Sequence, residues 1–172
     1  MLNLQLDDQD VPRAALPAPA KRLAQGLHCG EFLLAFQFQW ARQIIEQFEL
    51  VPVPRAPSWM LGAVNASGLI VPVVDLDNYF SQRAAPAQLQ RGQRLLLGGL
   101  LAEDSDNALA VVFTQTPTQL EYHPQPIAIP AALPARLQEV CVAVAIDDLA
   151  RSYIEIDLAR LMDAMSAELS VI

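Results

Sequence analysis

The chain has 172 residues, of which 53 % are hydrophobic and 17 % charged, with a formal net charge of −8. An acidic surface repels phosphate, and no basic stripe offers the counterion release on which nucleic-acid binding draws, so nucleic acid is excluded as a partner. A domain of this size buries roughly 70 % of its unfolded surface, and so low a charge content leaves apolar surface over, which points to a protein partner.

The first 20 residues mix acids, prolines and alanines (DDQDVPRAALPAPA) without apolar periodicity, which predicts a flexible tail ahead of one domain over residues 21–172. MLNLQLDDQD is acidic where a secretory signal begins positive. Pro, Asn or Gly breaks every apolar run well short of about 18 residues, so no membrane insertion is expected. From Leu23 the pattern becomes dense. GLHC and FLLAF read as short strands around Gly30 and Glu31. ARQIIEQF fits a helical turn or a strand equally. In VPVPRAPSW, Pro52, Pro54 and Pro57 forbid a helix and hold the backbone extended. WMLGAV and LIVPVV flank NASG, whose Asn and Gly tolerate positive φ, so a hairpin is predicted. Pro72 cannot donate to a ladder, which places its strand at an edge or a bulge.

Residues 81–93 are polar and small and read as a connection. RLLLGGLLA and ALAVVF form a further hairpin across EDSDN, with Gly98 and Gly99 marking a bend or a close approach. QTPTQLEYHPQPIAIPAALP carries five prolines and reads as a long irregular or edge-like excursion. VCVAVAI and SYIEI pair around DDLAR. Leu158, Leu161, Met162, Met165 and Leu169 then fall on one face of an amphipathic helix over about 158–169. LIVPVVDLDNYF and SYIEIDLARLM share an order: apolar strand, Asp, Leu, then a larger apolar residue. Asp75 and Asp157 stand where strand periodicity hands over to helix periodicity, a point where a carboxylate caps the first turn for about 1 kcal/mol. Neither has Glu or Gln three positions on, so the capping box is incomplete. The whole reads as all-β with one closing helix, built as two similar small barrels in tandem.

Chemistry is sparse. Cys29 and Cys141 lie far apart in apolar stretches and read as free thiols, which fits a reducing cytoplasm. His28 neighbours Cys29, but adjacent strand residues face opposite ways, and His123 sits among prolines. No GxSxG, GxxxxGK[ST] or GxGxxG occurs. No zinc spacing is present, and EDSD lacks the ligand pattern of a calcium loop. The expectation is a non-enzyme with no metal and no cofactor.

ELVPVPRAPSWMLGAVNASGLIVPVVDL resembles the CheW-like domain family, through Pro54, Pro57, Trp59, Leu61, Gly62, Val64, Asn65, Gly68, Ile70, Val71, Pro72, Val73, Val74, Asp75 and Leu76. RLLLGGLL, ALAVVF and YIEIDLARLM are similar to the family's second half in layout. The resemblance implies two five-stranded SH3-like β-barrels sharing an apolar core, one over about 24–88 and the other over about 89–157, followed by the C-terminal helix. It also implies a cytoplasmic signal-transduction adaptor that docks a CheA-like histidine kinase regulatory domain to a chemoreceptor tip, another CheW-like domain or another scaffold. Partner contacts are then expected at Gln43, Ile44, Trp59, Leu61, Gly62, Asn65, Ser67 and Ile70, with Trp59, Leu61, Asn65 and Ser67 exposed. Structural roles fall to Gly68, Pro72, Val73, Val74, Asp75 and Asp157. The chain departs from the family pattern at Ser67, where the family usually has Arg, and at Ala41 and Gln43, where it tends to have Val and Glu. These departures tilt the reading toward a divergent pathway such as type IV pilus motility. Two other readings stay open: a sensor or enzyme with His28, Cys29 or Asp75 lining a barrel pocket, and a degenerate paralogue that binds only the kinase.

Overall fold

A computed structural model describes residues 20–99, 107–124 and 131–170. The expected tail and the EDSDN turn fall wholly or largely outside these residues. The elements in order are β1 (Arg22–Cys29), β2 (Phe32–Gln37), β3 (Ala41–Ile45), β4 (Met60–Ala66), β5 (Leu69–Val74), α1 (Leu76–Ser81), β6 (Arg94–Gly98), β7 (Leu109–Tyr122), α2 (Ala135–Val140), β8 (Cys141–Ile146), β9 (Ser152–Ile156) and α3 (Leu158–Leu169). The protein is mainly β with a C-terminal helix, and ARQII resolves as a strand.

The strands pair in two sets of five that share β7. In the first set the order is β7-β1-β2-β9-β8, and in the second it is β3-β6-β7-β5-β4. Leu109–Phe113 of β7 pairs with β6, and Thr114–Tyr122 pairs with β1. The stretch from Gln115 to Tyr122, read from its prolines as irregular or edge-like, is ladder at the edge of the first set, paired with β1. Pro117 is tolerated because the register shifts opposite Gly26 and His28, and Gln115 takes a φ of 63° there. The pairing also corrects the expected division near residue 88. β1 and β2 pair with β7 and β9, so the first set joins the two ends of the described chain and the second set comes from its middle.

Three apolar clusters follow from strand alternation. Ala24, Ala35, Leu120, Tyr122, Ala145 and Tyr153 fill the first set. Val64, Val71, Val73, Leu95, Ala110 and Val112 fill the second. The opposite strand faces meet the three helices in a larger shared core around Phe36, Trp59, Val74, Phe80, Phe113 and Leu161. Neighbouring Val73 and Val74 thus serve different cores, as a period of two requires. Gly98 permits the close approach its position suggests, since a Cβ there would fall within the Trp40 ring.

The helices α1 and α3 each open on an aspartate. The Asp75 carboxylate accepts from Asn78 N at 3.1 Å, and that of Asp157 accepts from Arg160 N at 3.1 Å. Leu158, Leu161 and Met165 bury the inner face of α3, whereas Leu169 is 42 % exposed and lies beyond the core its spacing suggested. The short helix α2 was not expected: ARLQEV spans too few residues to display a helical period.

Candidate docking surface

The β4–β5 hairpin turns at Ser67 and Gly68, which take φ values of 55° and 89°. Two successive positive φ angles match the twist of the flanking strands. Asn65 Oδ1 accepts from Gly68 N at 2.8 Å and closes the turn. An added Cβ at Gly68 would meet nothing within 4 Å, so backbone conformation alone selects glycine there. Gly62 is different. Its φ is 147°, and a Cβ would lie 2.6 Å from Val51 O. That bare backbone lets the proline-rich arm lie against β4, where Val51 and Ala63 exchange backbone hydrogen bonds of 2.8 and 2.9 Å.

Because Ala63 spends both backbone groups on Val51, it does not bond to Pro72 opposite it. Pro72 nitrogen accordingly faces the other edge of β5, where pairing with β7 begins only at Val73. The sequence expectation of an edge position holds. Outward from this ladder, Ile70 is 66 % exposed, with Val53 and Leu169 also exposed nearby. With Pro54, Met60 and Pro72 they line an open concavity of about 540 Å³. Arg55, at a φ of 59°, is its single charged lining residue.

The structure sorts the sequence candidates. Ile70, Asn65 and Ser67 are exposed on the hairpin, and Leu61 is half-buried against the second-set core. Gln43 and Ile44 are exposed on β3, at the far end of the strand order from β4. Trp59 and Gly62 are buried, which corrects the expectation of an exposed indole anchor. Trp59 is 3 % exposed; its Nε1 donates to Glu168 Oε2 at 2.9 Å, and its ring meets Tyr79 edge-on at 5.5 Å. Arg136 pairs with the same Glu168 at 2.6 Å and covers the Tyr79 ring. The indole therefore ties α3 to the start of the hairpin and to α1, and Arg136 joins α2 to both helices. Val53, Arg55 and Leu169 belong to the surface and were missed. Their signal was weak: an apolar residue between prolines, and a leucine in the last turn of a helix.

A second apolar feature lies on the first set. Leu23 and Phe38 are exposed by 48 % and 51 %. Phe38 N donates to Leu23 O at 3.1 Å, and both residues line a concavity of about 500 Å³.

The proposed barrel pocket of His28, Cys29 and Asp75 does not form. Cys29 belongs to the shared core, while His28 faces the other way, against Tyr153 at 6.4 Å. Burial first, then the Asp75 and Asp77 charges, pushes the Cys29 thiol well up, which disfavours a nucleophilic thiolate. Burial first, then Arg151, lowers the pKa of His28. Asp75 is occupied as a helix cap. Among the described residues, no three His, Cys, Asp or Glu side chains gather as a metal site, and no helix is long and apolar enough to cross a membrane.

Comparison with known proteins fits this architecture. The fold is similar to that of the scaffolding protein TtCheW from Thermoanaerobacter tengcongensis, known from a crystal structure, with a TM-score of 0.61 and 14 % sequence identity. The match covers 80 % of this chain and 90 % of that one. No curated protein matches in sequence. The family model for the CheW-like domain matches residues 26–166, most of the chain and both strand sets. The chain belongs to the CheW-like domain family, whose scaffolding proteins are non-catalytic.

Proposed function

We propose that this protein is a cytoplasmic adaptor that docks a CheA-like histidine kinase to a chemoreceptor tip, another CheW-like domain or another scaffold in a chemosensory pathway. Each five-stranded set acts as an SH3-like barrel, and each presents apolar residues to a partner. The observation that carries this reading is the Ile70–Val53–Leu169 surface, apolar and exposed on a hairpin whose backbone is fixed from both sides. A related barrel end packed there would bury about 800 Å² on each partner. Leu23 and Phe38 supply a second face, which an adaptor needs and a protein with one partner does not.

Ser67 stands where the family usually carries arginine, and a hydroxyl cannot reproduce a guanidinium fork. Arg55 brings the one charge to the docking concavity from a different segment. This change favours a divergent pathway, such as type IV pilus motility, over flagellar chemotaxis.

The test is co-purification with the kinase regulatory domain and with receptor tips from the same organism. Ile70→Ser should weaken one partnership by roughly tenfold or more, as loss of an interface anchor does, with the unfolding midpoint unchanged. Phe38→Ser should spare that partner and weaken the other. Retention of both partners by both variants would sink the two-faced reading.

A further inference from the structure

One face of the β1–β2 ladder is an apolar stripe with an uncovered end. Along it, Leu27 and Cys29 of β1 and Leu34 and Phe36 of β2 pack in the shared core against the helices. Strand alternation carries the same face on to Leu23 at the start of β1 and to Phe38 just past the end of β2. Ala24 stands opposite Gln37, and Phe38 N donates to Leu23 O, so Leu23 and Phe38 are themselves opposed. Opposed residues of an antiparallel pair stand side by side on one face. Both are about half exposed, beyond the reach of the core that covers the rest of the stripe.

The rim of this end is cationic. Lys21, Arg22, Gln37 and Gln39 complete the lining of its concavity, with no acid among them. Arg42 stands in the neighbouring concavity, which shares Arg22, Gln37 and Gln39. The chain holds 11 cationic side chains against 19 acidic ones, so three gathered at one spot stand out. Lys21 pairs with Glu121 and Arg22 with Glu155, yet both cations keep about half of their side-chain surface in water. An exposed pair such as Lys21–Glu121 is worth little and yields readily to a second carboxylate. Arg42 is exposed and has no carboxylate partner among the described residues. What fits such a spot is a segment that offers apolar side chains and acids together.

The sequence holds one a short distance away. MLNLQLDDQD places Leu2, Leu4 and Leu6 at alternate positions, followed by Asp7, Asp8 and Asp10. Extended, such a segment would present the three leucines on one face. Ten residues separate Asp10 from Lys21. They span up to about 35 Å, enough to return the segment to the place where β1 begins. A tether this short gives an effective concentration of about 1 mM.

We propose that residues 2–10 dock on the Leu23–Phe38 face of their own chain and shield it from the second partner. The leucines cover the two exposed apolar side chains, and the aspartates meet Lys21, Arg22 and Arg42. Little affinity is required: a segment whose free peptide binds with a Kd of about 1 mM is bound half the time when tethered. A partner must displace it, so the segment sets a threshold for binding. A second copy is a poorer occupant, because it brings a whole net charge of −8, whereas the segment sets its acids against cations alone. The docking is independent of the adaptor reading, and the shielding rests on it.

The test compares amide NMR spectra of the full-length protein with those of two double variants, Leu4→Ser/Leu6→Ser and Asp7→Lys/Asp8→Lys. Both lie outside residues 26–166 of the family match, so a shift at Phe38 reports a contact and not a change of fold. The signals of Leu23, Phe38 and Gln39 should shift in each variant, and those of Ile70 and Leu169 in neither. A synthetic peptide of residues 1–12, titrated into the leucine variant, should restore the wild-type positions with a Kd of about 1 mM or tighter. Each variant should also bind the partner that Phe38→Ser weakens at least twofold more tightly than wild type does. Unshifted Phe38 and Gln39 signals, or a peptide without effect, overturn the docking. A wild-type Phe38 signal that moves to the variant position on tenfold dilution marks a second copy and overturns it equally. Shifted signals with unchanged partner affinity, or with no partner at that face, overturn the shielding alone.

Discussion

The β4–β5–α1 and β8–β9–α3 units follow one plan with different fillings. Each is a hairpin with a register shift near its first strand's start, and each ends in a strand that runs parallel to a distant neighbour, β7 or β2. Each passes through a capping aspartate into a helix. They differ at the turn: Ser67–Gly68 in one, and a loop around Asp147 in the other, where Oδ1 accepts from Leu149 N and Arg151 N. They differ also in the interior, with Val73 in one and Glu155 in the other. The shared parts are small ladder partners and a capped helix start, so these set the backbone frame. The interior residue is free to vary provided its polar atoms are met.

Exchanging the interior residues tests that lesson most severely. Val73→Glu would place a carboxylate among Val64, Val71, Leu95 and Val112, which offer no donor. A loss of about 4 kcal/mol or more is expected, read as a collapsed urea midpoint. The reverse exchange, Glu155→Val, should cost about 1 kcal/mol at most or stabilise the fold, because the half-exposed Arg22 guanidinium returns to water. Next in size is Gly62→Ala, whose Cβ would strike Val51 O. About 2–3 kcal/mol should be lost by the same measurement. The counterpart position, Ala143, already carries a Cβ, since no proline arm crosses it. Smallest are the caps: Asp75→Ala and Asp157→Ala should each cost about 1 kcal/mol. The two losses should agree within a few tenths, because the exposed Asp157–Arg160 pair adds little. A large disparity between them would break the equivalence of the two units.

Local chemistry made these units legible in the sequence. Asn65 and Gly68 announced the turn, Pro72 an edge, and the two aspartates the change from strand to helix. Three kinds of feature were not legible. The second half of β7 was hidden by Pro117, which the ladder absorbs at a bulge. The pairing of β1 with β7 and of β2 with β9 leaves no local trace, because nothing in one strand names a partner far along the chain. Trp59 resembled a surface anchor for the same reason, since its hydrogen-bond acceptor, Glu168, lies 109 positions away. Of the docking surface, Ile70 could be read and Leu169 could not, because helical spacing alone assigned it to the core. Glu155 was visible as an acid inside an apolar strand, two residues from Tyr153 and therefore on its face. Its meaning emerged only beside Val73.

The sharing of β7 and the late return of β9 fix the order in which the protein can be built. β1 and β2 are synthesised early, yet β2 gains its parallel neighbour only with β9, and the Arg22–Glu155 bond spans 133 positions. Pairings this remote raise contact order and slow folding. The middle set can assemble on the ribosome as soon as β7 emerges. The β1–β2 hairpin waits beside it with one edge open, a species prone to mispairing with other nascent chains. Synthesis of the β8–β9 hairpin closes that edge, so the first set cannot be completed before β9 has emerged.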